Sequence, residues 1–397
     1  MDNTPDNPKP RPRLPPWLRV PFRGGRPRAE VRGLLKSLDL HTVCQSADCP
    51  NLCECWARRT ATFMILGDVC TRNCRFCAVA HGKPAPPDPE EPAHVAEAAA
   101  RLDLRFVVVT SVTRDDLPDG GAAHFAATVR AVRARLPDAG IEVLTPDFGA
   151  READIRTVID THPTVFNHNI ETCARLSLLV RPQADYARSL RTLATAARLA
   201  AEAEGKGHGV MGVEQELRGT GAEAVERPGA VQSGGTGSVP LAPERDAPTT
   251  LREGQSNTPV GAPHAPGGRG ACHGVASARS QVTQIKSGLM LGMGETPAEV
   301  RAVFADLRAA GVQSLTVGQY LPPSRQHWPV ERYVTPAEFA DWGEIARREF
   351  GFEHVVSAPL VRSSYMADQA AAAAAAAAGA LPPHPHQRGP VPSGHPE

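Results

Sequence analysis

The stretch TATFMILGDVCTRNCRFCAV (residues 60–79) places three cysteines directly after an apolar run that is typical of a strand. These loop cysteines have the spacing C-x3-C-x2-C and are Cys70, Cys74 and Cys77. A single metal ion usually takes four protein ligands, whereas an iron–sulfur cube offers one iron to each thiolate. Three close thiolates can hold three corners of a cube and leave the fourth iron open. The stretch therefore predicts an iron–sulfur cluster that can bind a non-protein ligand.

A second set of three cysteines lies just upstream, in CQSADCPNLCECW (residues 44–56). These upstream cysteines have the spacing C-x4-C-x5-C and are Cys44, Cys49 and Cys55. They predict a second cube in the same chain. Cys53 lies between the last two, and the spacing favours Cys55 over Cys53 as the ligand.

The alternative to iron is a structural zinc site, which closes on four thiolate or imidazole ligands. Four thiols are available for such a site, namely Cys49, Cys55, Cys74 and Cys77. Three features favour iron: the C-x3-C-x2-C spacing, Phe76 directly before its last thiol, and the strand before the loop. Zinc knuckles usually form small autonomous modules. A zinc-binding interaction module therefore stays the alternative from a different class of protein.

The charge balance of this 397-residue chain excludes several kinds of partner. Basic and acidic residues number 43 each, so nothing favours a nucleic acid, whose binding proteins usually carry a basic excess. There is no long uncharged apolar run, so no membrane span is expected. The first twenty residues carry Asp2 and Asp6 and lack an apolar signal stretch, which favours the cytoplasm. In a reducing compartment the nine cysteines are expected to be ligands and not disulfides.

Beyond the loop cysteines, strand-like and helix-like segments alternate. The strand-like segments are 60–67, 105–111, 141–146, 164–171, 286–292, 312–320 and 353–360. The helix-like segments between them are 91–102, 122–136, 151–160, 186–204, 296–310 and 335–351. Strands joined through single helices form a parallel sheet, so the fold class is α/β with a partial (β/α)6 barrel of the TIM type. Active residues then belong on the loops after the strands, where the loop cysteines fall.

The remaining segments lack this periodicity and set the domain limits. Residues 205–282 are dominated by Gly, Ala, Pro, Ser and Glu. Ordering a residue costs about 1–2 kcal/mol of backbone entropy, which so few apolar side chains cannot offset, and we expect a disordered insert there. The expected organisation is a disordered arm at 1–28, a cysteine-rich extension at 29–59, the barrel with its C-terminal segment at 60–204 and 283–368, and a low-complexity tail at 369–397.

GDVCTRNCRFCAV (67–79) resembles the signature of radical S-adenosylmethionine enzymes, and the other motifs narrow the resemblance to the lipoyl synthase family. CQSADCPNLCECW is similar to that family's auxiliary-cluster motif, and RSSYMAD (362–368) to its C-terminal RSSY motif. Further similar blocks follow in the family's order: TSVTRDDLPDGGAAHFA (110–126), FNHNIET (166–172), VRPQADY (180–186), KSGLMLGMGET (286–296) and QYLPPSRQHWPVERYVTPAEF (319–339).

In that family, two sulfur atoms are inserted at carbons 6 and 8 of an octanoyl chain carried on a lysine of a lipoyl-domain protein. The resemblance implies two 4Fe-4S clusters and S-adenosyl-L-methionine as cofactors. The cluster on the loop cysteines is expected to bind S-adenosylmethionine, which is cleaved to methionine and a 5′-deoxyadenosyl radical. The cluster on the upstream cysteines is expected to be consumed as the sulfur donor. The cofactors carry this chemistry because the target carbons bear no activating group.

The resemblance also assigns roles to residues other than cysteine. An RSSY serine is expected to bind the fourth iron of the upstream cluster, and Ser364 is favoured over Ser363. A hard alkoxide is a poor partner for a soft iron–sulfur site, which suits a cluster that comes apart in each turnover. The candidate cofactor-binding residues are Phe76, Asn169, Glu171 and Arg362. For Asn169 and Glu171, a buried polar network under the barrel mouth is an equal alternative.

The partners implied are octanoylated lipoyl-domain carriers, either the E2 subunit of 2-oxoacid dehydrogenases or the glycine cleavage H protein. An electron donor such as ferredoxin or flavodoxin and a carrier that repairs the upstream cluster are also implied. Another two-cluster radical enzyme and a catalytically inactive relative are rival hypotheses, which the RSSY serine and the intact ligands disfavour. His124 and His168 are expected to be hydrogen-bonded core histidines and not ligands.

Overall fold

The computed structural model describes residues 13–19, 26–46, 49, 51–52, 55, 62–203, 205 and 283–364. The chain divides into two units, Met1–Val213 with Ser280–Glu397 and Glu214–Arg279, and the second lies outside the described residues. The predicted insert beyond Gly205, the predicted tail and Cys53 also lie outside them. The first unit therefore carries the described fold.

Parallel strands dominate this unit. The strands of the described residues are β1 (His41–Thr42), β2 (Thr62–Ile65), β3 (Val69–Cys70), β4 (Ala80–His81), β5 (Phe106–Ser111), β6 (Gly140–Leu144), β7 (Val165–Asn167), β8 (Gln284–Leu291), β9 (Ser314–Gln319) and β10 (His354–Ser357). One sheet has the order β1-β2-β5-β6-β7-β8-β9-β10, and β3 pairs with β4 separately. From β2 to β10 neighbouring strands are parallel, while β1 is an antiparallel edge. The sheet stays open between β1 and β10, which confirms a partial barrel.

Helices fill the connections between these strands. The helices of the described residues are α1 (Arg26–Ser37), α2 (Val43–Ser46), α3 (Glu91–Arg101), α4 (Ala122–Arg135), α5 (Glu152–Ile159), α6 (Ala174–Val180), α7 (Tyr186–Ala203), α8 (Pro297–Ala309) and α9 (Pro336–Arg348). Six of them, α3, α4, α5, α7, α8 and α9, join successive strands of the sheet as the periodicity predicts. None of the helices in the described ranges combines the length and the apolar character needed to cross a membrane.

Two of the connecting helices begin with the same local signal. The side chains of Thr296 and Thr335 each accept a hydrogen bond from the backbone amide three residues on. The carboxylates of Glu299 and Glu338 in turn each accept one from the backbone amide of that threonine. This reciprocal arrangement satisfies amides that a helix start would leave unpaired. A proline follows each threonine and presets the first helical φ angle. Local sequence therefore fixes where α8 and α9 begin.

One face of the sheet is polar near its centre. Register pairs Leu144 on β6 with Asn167 on β7, and Asn167 with Lys286 on β8. Glu142 precedes Leu144 by two residues, so Glu142, Asn167 and Lys286 share a face. All three are buried. The barrel interior therefore contains charged and amide side chains that must find partners there.

Two regions differ from the expected organisation. The arm predicted to be disordered over residues 1–28 contains a 3-10 turn at Pro16–Leu18, with Leu18 buried, and α1 begins within it at Arg26. Pro16 fixes the φ angle at the start of that turn, and burying Leu18 offsets part of the ordering entropy. The short helix α6 lies in a connection for which no element was predicted. Leu176 and Val180, four residues apart, form its buried side.

Candidate active site

The loop cysteines lie after β2, at the carboxyl edge of the sheet. The Sγ atom of Cys70 accepts hydrogen bonds from the amides of Arg72 (3.4 Å) and Thr113 (3.3 Å). Four further hydrogen bonds of 2.8 to 3.0 Å hold the loop: Thr71 N to Thr113 O, Arg75 N to Val180 O, Trp328 N to Arg75 O, and His327 Nε2 to Cys77 O. The partner segments follow β5, β7 and β9, so the ends of three strands fix the loop.

The three loop thiols act on one another electrostatically. Burial raises the pKa of Cys77 to about 12, and charge at Cys74, Cys70 and Glu171 acts in the same direction. Burial also raises the pKa of Cys74, while the charge of Arg181 opposes that effect. Because the thiolate is the form that binds metal, occupation of this site releases protons.

Arg72 anchors the loop from within. Its guanidinium pairs with Asp147 at 2.7 Å and with Asp115 at 2.8 Å, and Asp147 also pairs with Arg188 at 3.0 Å. Burial acts to raise the pKa of Asp147, but the hydrogen bonds and charge of Arg72 outweigh it and hold that pKa well below its usual range. Burial acts in turn to lower the pKa of Arg72, and its two carboxylate partners raise it overall. The pair is therefore ionised and buried.

The upstream cysteines lie beside the edge strand β1 and contact the end of the barrel. Cys44 lies in α2, and its carbonyl accepts a hydrogen bond from Cys49 N at 3.2 Å. Cys55 N donates to Asn51 O at 2.9 Å. Burial raises the pKa of both Cys44 and Cys49. Asn51 Nδ2 donates to Leu360 O at 2.7 Å, which ties the extension to a residue 309 positions later.

The C-terminal segment, residues 358–364, follows β10 and folds back onto the barrel. Its start continues the sheet, because Ala358 N donates to Val317 O at 3.1 Å and Gln319 N donates to Pro359 O at 3.1 Å. A Cβ atom on Gly318 would lie 2.2 Å from Val361 O. Only glycine therefore lets the segment approach β9 this closely.

The two serines of this segment have different surroundings. Ser363 Oγ accepts a hydrogen bond from Asn169 Nδ2 at 2.6 Å, and Ser363 O accepts one from Lys286 Nζ at 2.6 Å. The hydroxyl of Ser364 makes no hydrogen bond with the described residues. Within the described part of the chain, the two serines therefore differ in whether the hydroxyl is hydrogen-bonded.

Glu171 lies after β7 in an uncommon backbone conformation. Its φ angle is 67°, and hydrogen bonds with Gly288 O and Met290 N, both 2.9 Å, hold it against β8. Asn169 Nδ2 donates to Glu171 Oε1 at 3.2 Å. Burial raises the pKa of Glu171, and the charge of Arg181 opposes that effect.

Arg362 and Glu171 connect the two cysteine sets electrostatically. Burial lowers the pKa of Arg362, and negative charge at Cys49 and Glu171 opposes that change. Glu171 in turn raises the pKa of Cys74 and Cys77. Glu171 therefore acts electrostatically on the loop cysteines, and Arg362 on Cys49 and Glu171.

Two unpaired buried polar atoms suit a polar ligand. Near the loop cysteines two buried side-chain atoms have no hydrogen-bond partner among the described residues, the acceptor Asn169 Oδ1 and the donor Arg181 Nε. Buried polar atoms are rarely left unpaired, so a ligand that offers a donor to Asn169 and an acceptor to Arg181 suits these two atoms. In the described ranges no three Cys, His, Asp or Glu side chains are grouped as for one metal ion.

Three further residues singled out from the sequence have clear environments. Phe76 is half-buried and packs against the hydrophobic core. Burial lowers the pKa of His168 to about 4, so its neutral ring donates from Nδ1 to Thr145 O (2.9 Å) and accepts at Nε2 from Ser189 (3.0 Å). His124 Nε2 contacts Glu91 at 2.7 Å. His168 is a buried, hydrogen-bonded histidine, and His124 is a partly buried one that pairs with Glu91.

The loop of three cysteines lies at the mouth of the partial barrel. Residues 64–216, which include this loop, match the family model of the radical SAM superfamily. The barrel part of this chain is therefore similar to members of that superfamily.

Sequence relatives define the family within this class. The lipoyl synthase of Methylococcus capsulatus is 45% identical over 91% of this chain and 87% of the relative. The lipoyl synthase of Nitratidesulfovibrio vulgaris is 44% identical over 93% of this chain and 96% of the relative. This chain belongs to the lipoyl synthase family. Among solved structures, the FeFe-hydrogenase maturase HydG from Carboxydothermus hydrogenoformans matches 83% of this chain and 65% of its own, with 10% identity and a TM-score of 0.45.

Several residues of the site were not found from the sequence. Arg72, Glu142 and Lys286 are buried charges, and Asn51 joins the two ends of the described fold. For Glu142 and Lys286 a signal existed, because a charge inside an apolar strand needs a buried partner. That Glu142 pairs with Lys286 could not be predicted from the sequence, since the two residues are 144 positions apart.

Proposed function

We propose that this enzyme is a lipoyl synthase that inserts two sulfur atoms, at carbons 6 and 8, into an octanoyl chain carried on a protein lysine. The observation that supports this most is a chain of hydrogen bonds: Asn169 bonds both Glu171 and Ser363 of the RSSY motif, and Asn51, between the upstream cysteines, bonds Leu360 of the same C-terminal segment. A radical centre and a sulfur source must act on the same chain, so they belong at one site.

The loop cysteines would hold a 4Fe-4S cluster that binds S-adenosylmethionine, and the upstream cysteines with Ser364 would hold a second one. When bound, these groups would supply the sulfur atoms and the one-electron chemistry that removes hydrogen from unactivated carbon. Arg181 and Asn169 offer a donor and an acceptor to the polar ends of S-adenosylmethionine. Glu171 and Arg362 add opposite charges, and Phe76 packs the loop against the core.

The partners we propose follow from this reaction. An octanoylated lipoyl domain, from a 2-oxoacid dehydrogenase or the glycine cleavage H protein, carries the substrate. Ferredoxin or flavodoxin supplies electrons, and an iron–sulfur carrier rebuilds the upstream cluster. Reduced thiolate ligands suit the cytoplasm.

The first experiment measures iron, sulfide and zinc per chain after anaerobic reconstitution, together with turnover of an octanoylated lipoyl domain. We expect about eight irons with matching sulfide, as two cubes require, and a lipoylated product. About four irons would contradict the two-cluster assignment. About one zinc with little iron would overturn the function and favour an interaction module.

A serine exchange tests the ligand assignment. We expect Ser364→Ala to lower product formation at least about tenfold, or about 1.4 kcal/mol in activation free energy, with cleavage of S-adenosylmethionine retained. Ser363→Ala is the matched control, because its hydroxyl already accepts from Asn169. Mass spectrometry of 5′-deoxyadenosine and product checks both. A larger loss in Ser363→Ala would reverse the assignment.

A further inference from the structure

Lys286 and Glu142 form an ion pair inside the barrel. Lys286 Nζ lies 3.0 and 2.9 Å from the two carboxylate oxygens of Glu142. The side chains are 4% and 1% exposed. Removing two charges from water is costly, and the attraction between them offsets this only with near-complete hydrogen bonding. The surroundings of the pair therefore decide what it contributes.

Every donor of the lysine has a partner. Two of its three N–H groups are directed to Glu142, and the third donates to Ser363 O at 2.6 Å. Asn167 Nδ2 donates to Glu142 Oε1 at 2.8 Å and holds the carboxylate on its other side. The bond to Ser363 is charge-assisted, which makes it stronger than a bond between neutral groups.

The same segment has neutral contacts nearby. Ser363 Oγ accepts from Asn169, and Val361 O packs on Gly318. Both contacts join uncharged groups. Among the described contacts of Ser363, the hydrogen bond from Lys286 to its backbone carbonyl is thus the one that involves a charged group.

We propose that Lys286, oriented by Glu142 and Asn167, is a positioning residue that fixes the backbone of Ser363 and so directs Ser364 toward the upstream cysteines. This inference rests on the proposed function. A volume-matched apolar pair often replaces a buried ion pair without loss of stability, but it cannot donate to a backbone carbonyl. What the ammonium of Lys286 adds, and an apolar side chain could not, is therefore the hydrogen bond to Ser363 O.

The decisive variant is the double substitution Lys286→Met with Glu142→Leu, which removes both charges and leaves neither unpaired. The first readout needs no cofactor: hydrogen exchange of the amides of residues 358–364 in cluster-free protein. We expect exchange there to become at least about tenfold faster than in the wild type. Exchange at the wild-type rate would overturn the proposal.

The second readout compares two products of the reconstituted enzyme. We expect the double variant to keep forming 5′-deoxyadenosine while its lipoyl product falls at least about tenfold, a separation that general destabilisation does not produce. Unchanged coupling of the two products would overturn the proposal. If the wild type holds zinc and makes no product, the proposed function fails, while hydrogen exchange still tests the contact itself.

Two further variants control for folding. Glu91→Gln with His124→Leu removes another buried pair, 7% and 12% exposed, and is expected to leave exchange of residues 358–364 unchanged. Gly318→Ala displaces Val361 without touching the ion pair and is expected to uncouple the two products as well. Gly318→Ala could uncouple the two products while the double variant does not. That result would show that the position of residues 358–364 matters but that the Lys286–Glu142 pair does not fix it.

Discussion

Replacing Cys74 by alanine is expected to abolish both the cleavage of S-adenosylmethionine and the formation of lipoyl product, whereas replacing Cys49 abolishes only the product. Each substitution removes one of three thiolates in its set. The two residues lie on separate segments, Cys74 in the loop after β2 and Cys49 beside β1. Loss of one set therefore leaves the ligands of the other in place. Quantifying 5′-deoxyadenosine and product after anaerobic reconstitution measures both effects.

The expected loss of product is at least about a thousandfold in each variant, or about 4 kcal/mol of activation free energy. Cys173→Ala is the matched control, because Cys173 is a buried thiol outside both sets. It should keep both reactions. Equal loss of S-adenosylmethionine cleavage in the Cys49 and Cys74 variants would contradict separate roles for the two sets.

The periodic part of the fold was predictable because its signals are local. Apolar runs such as that in β5 are buried on both faces of a parallel sheet, and amphipathic segments such as that in α7 cover it. Helix α6 was not predicted because its seven residues make barely two helical turns, too few to show a hydrophobic period. The turn at Pro16–Leu18 was not predicted because a segment rich in proline and arginine shows no hydrophobic period. Burial of Leu18 against distant residues helps to order it.

The cysteine spacing predicted two sets of thiol ligands, and the resemblance supplied their chemistry, but the contacts around them could not be predicted. Spacing shows which thiols can act together within a loop. It cannot show that Asn51 reaches Leu360 or that Lys286 reaches Ser363, because those contacts join residues far apart in sequence. It also could not distinguish Ser363 from Ser364 structurally. The hydrogen bond from Asn169 to Ser363 Oγ supports the preference for Ser364, which stays a prediction.

Replacing Arg72 by methionine is expected to destabilise the fold by about 3–5 kcal/mol, the cost of leaving a buried carboxylate without its partner. Arg72 is 7% exposed and Asp147 is fully buried, so this pair is shielded from solvent. Asp115 is 49% exposed and contributes little. Because Arg188 still reaches Asp147, we expect the lower end of this range. Urea unfolding at neutral pH, monitored under anaerobic conditions, measures the change.

Arg156→Met is the matched control, since Arg156 pairs with Glu152 on the surface, where both side chains are more than one-third exposed. Solvent screens such an exposed pair, so its loss is expected to change stability far less than the loss of the buried pair. A comparable loss in both variants would show that the burial of Arg72 does not matter.

Acid supplies an independent test of the same pair. The folded pKa of Asp147 is held below its unfolded value of about 3.9, so the pairing contributes stability that is complete above about pH 5. That contribution is lost as the pH falls through the folded pKa. The Arg72→Met variant keeps only the part of it that Arg188 supplies, so the difference in unfolding free energy from the wild type should narrow below about pH 4. A constant difference would mean that Arg72 stabilises the loop through packing of its aliphatic stem and not through its charge.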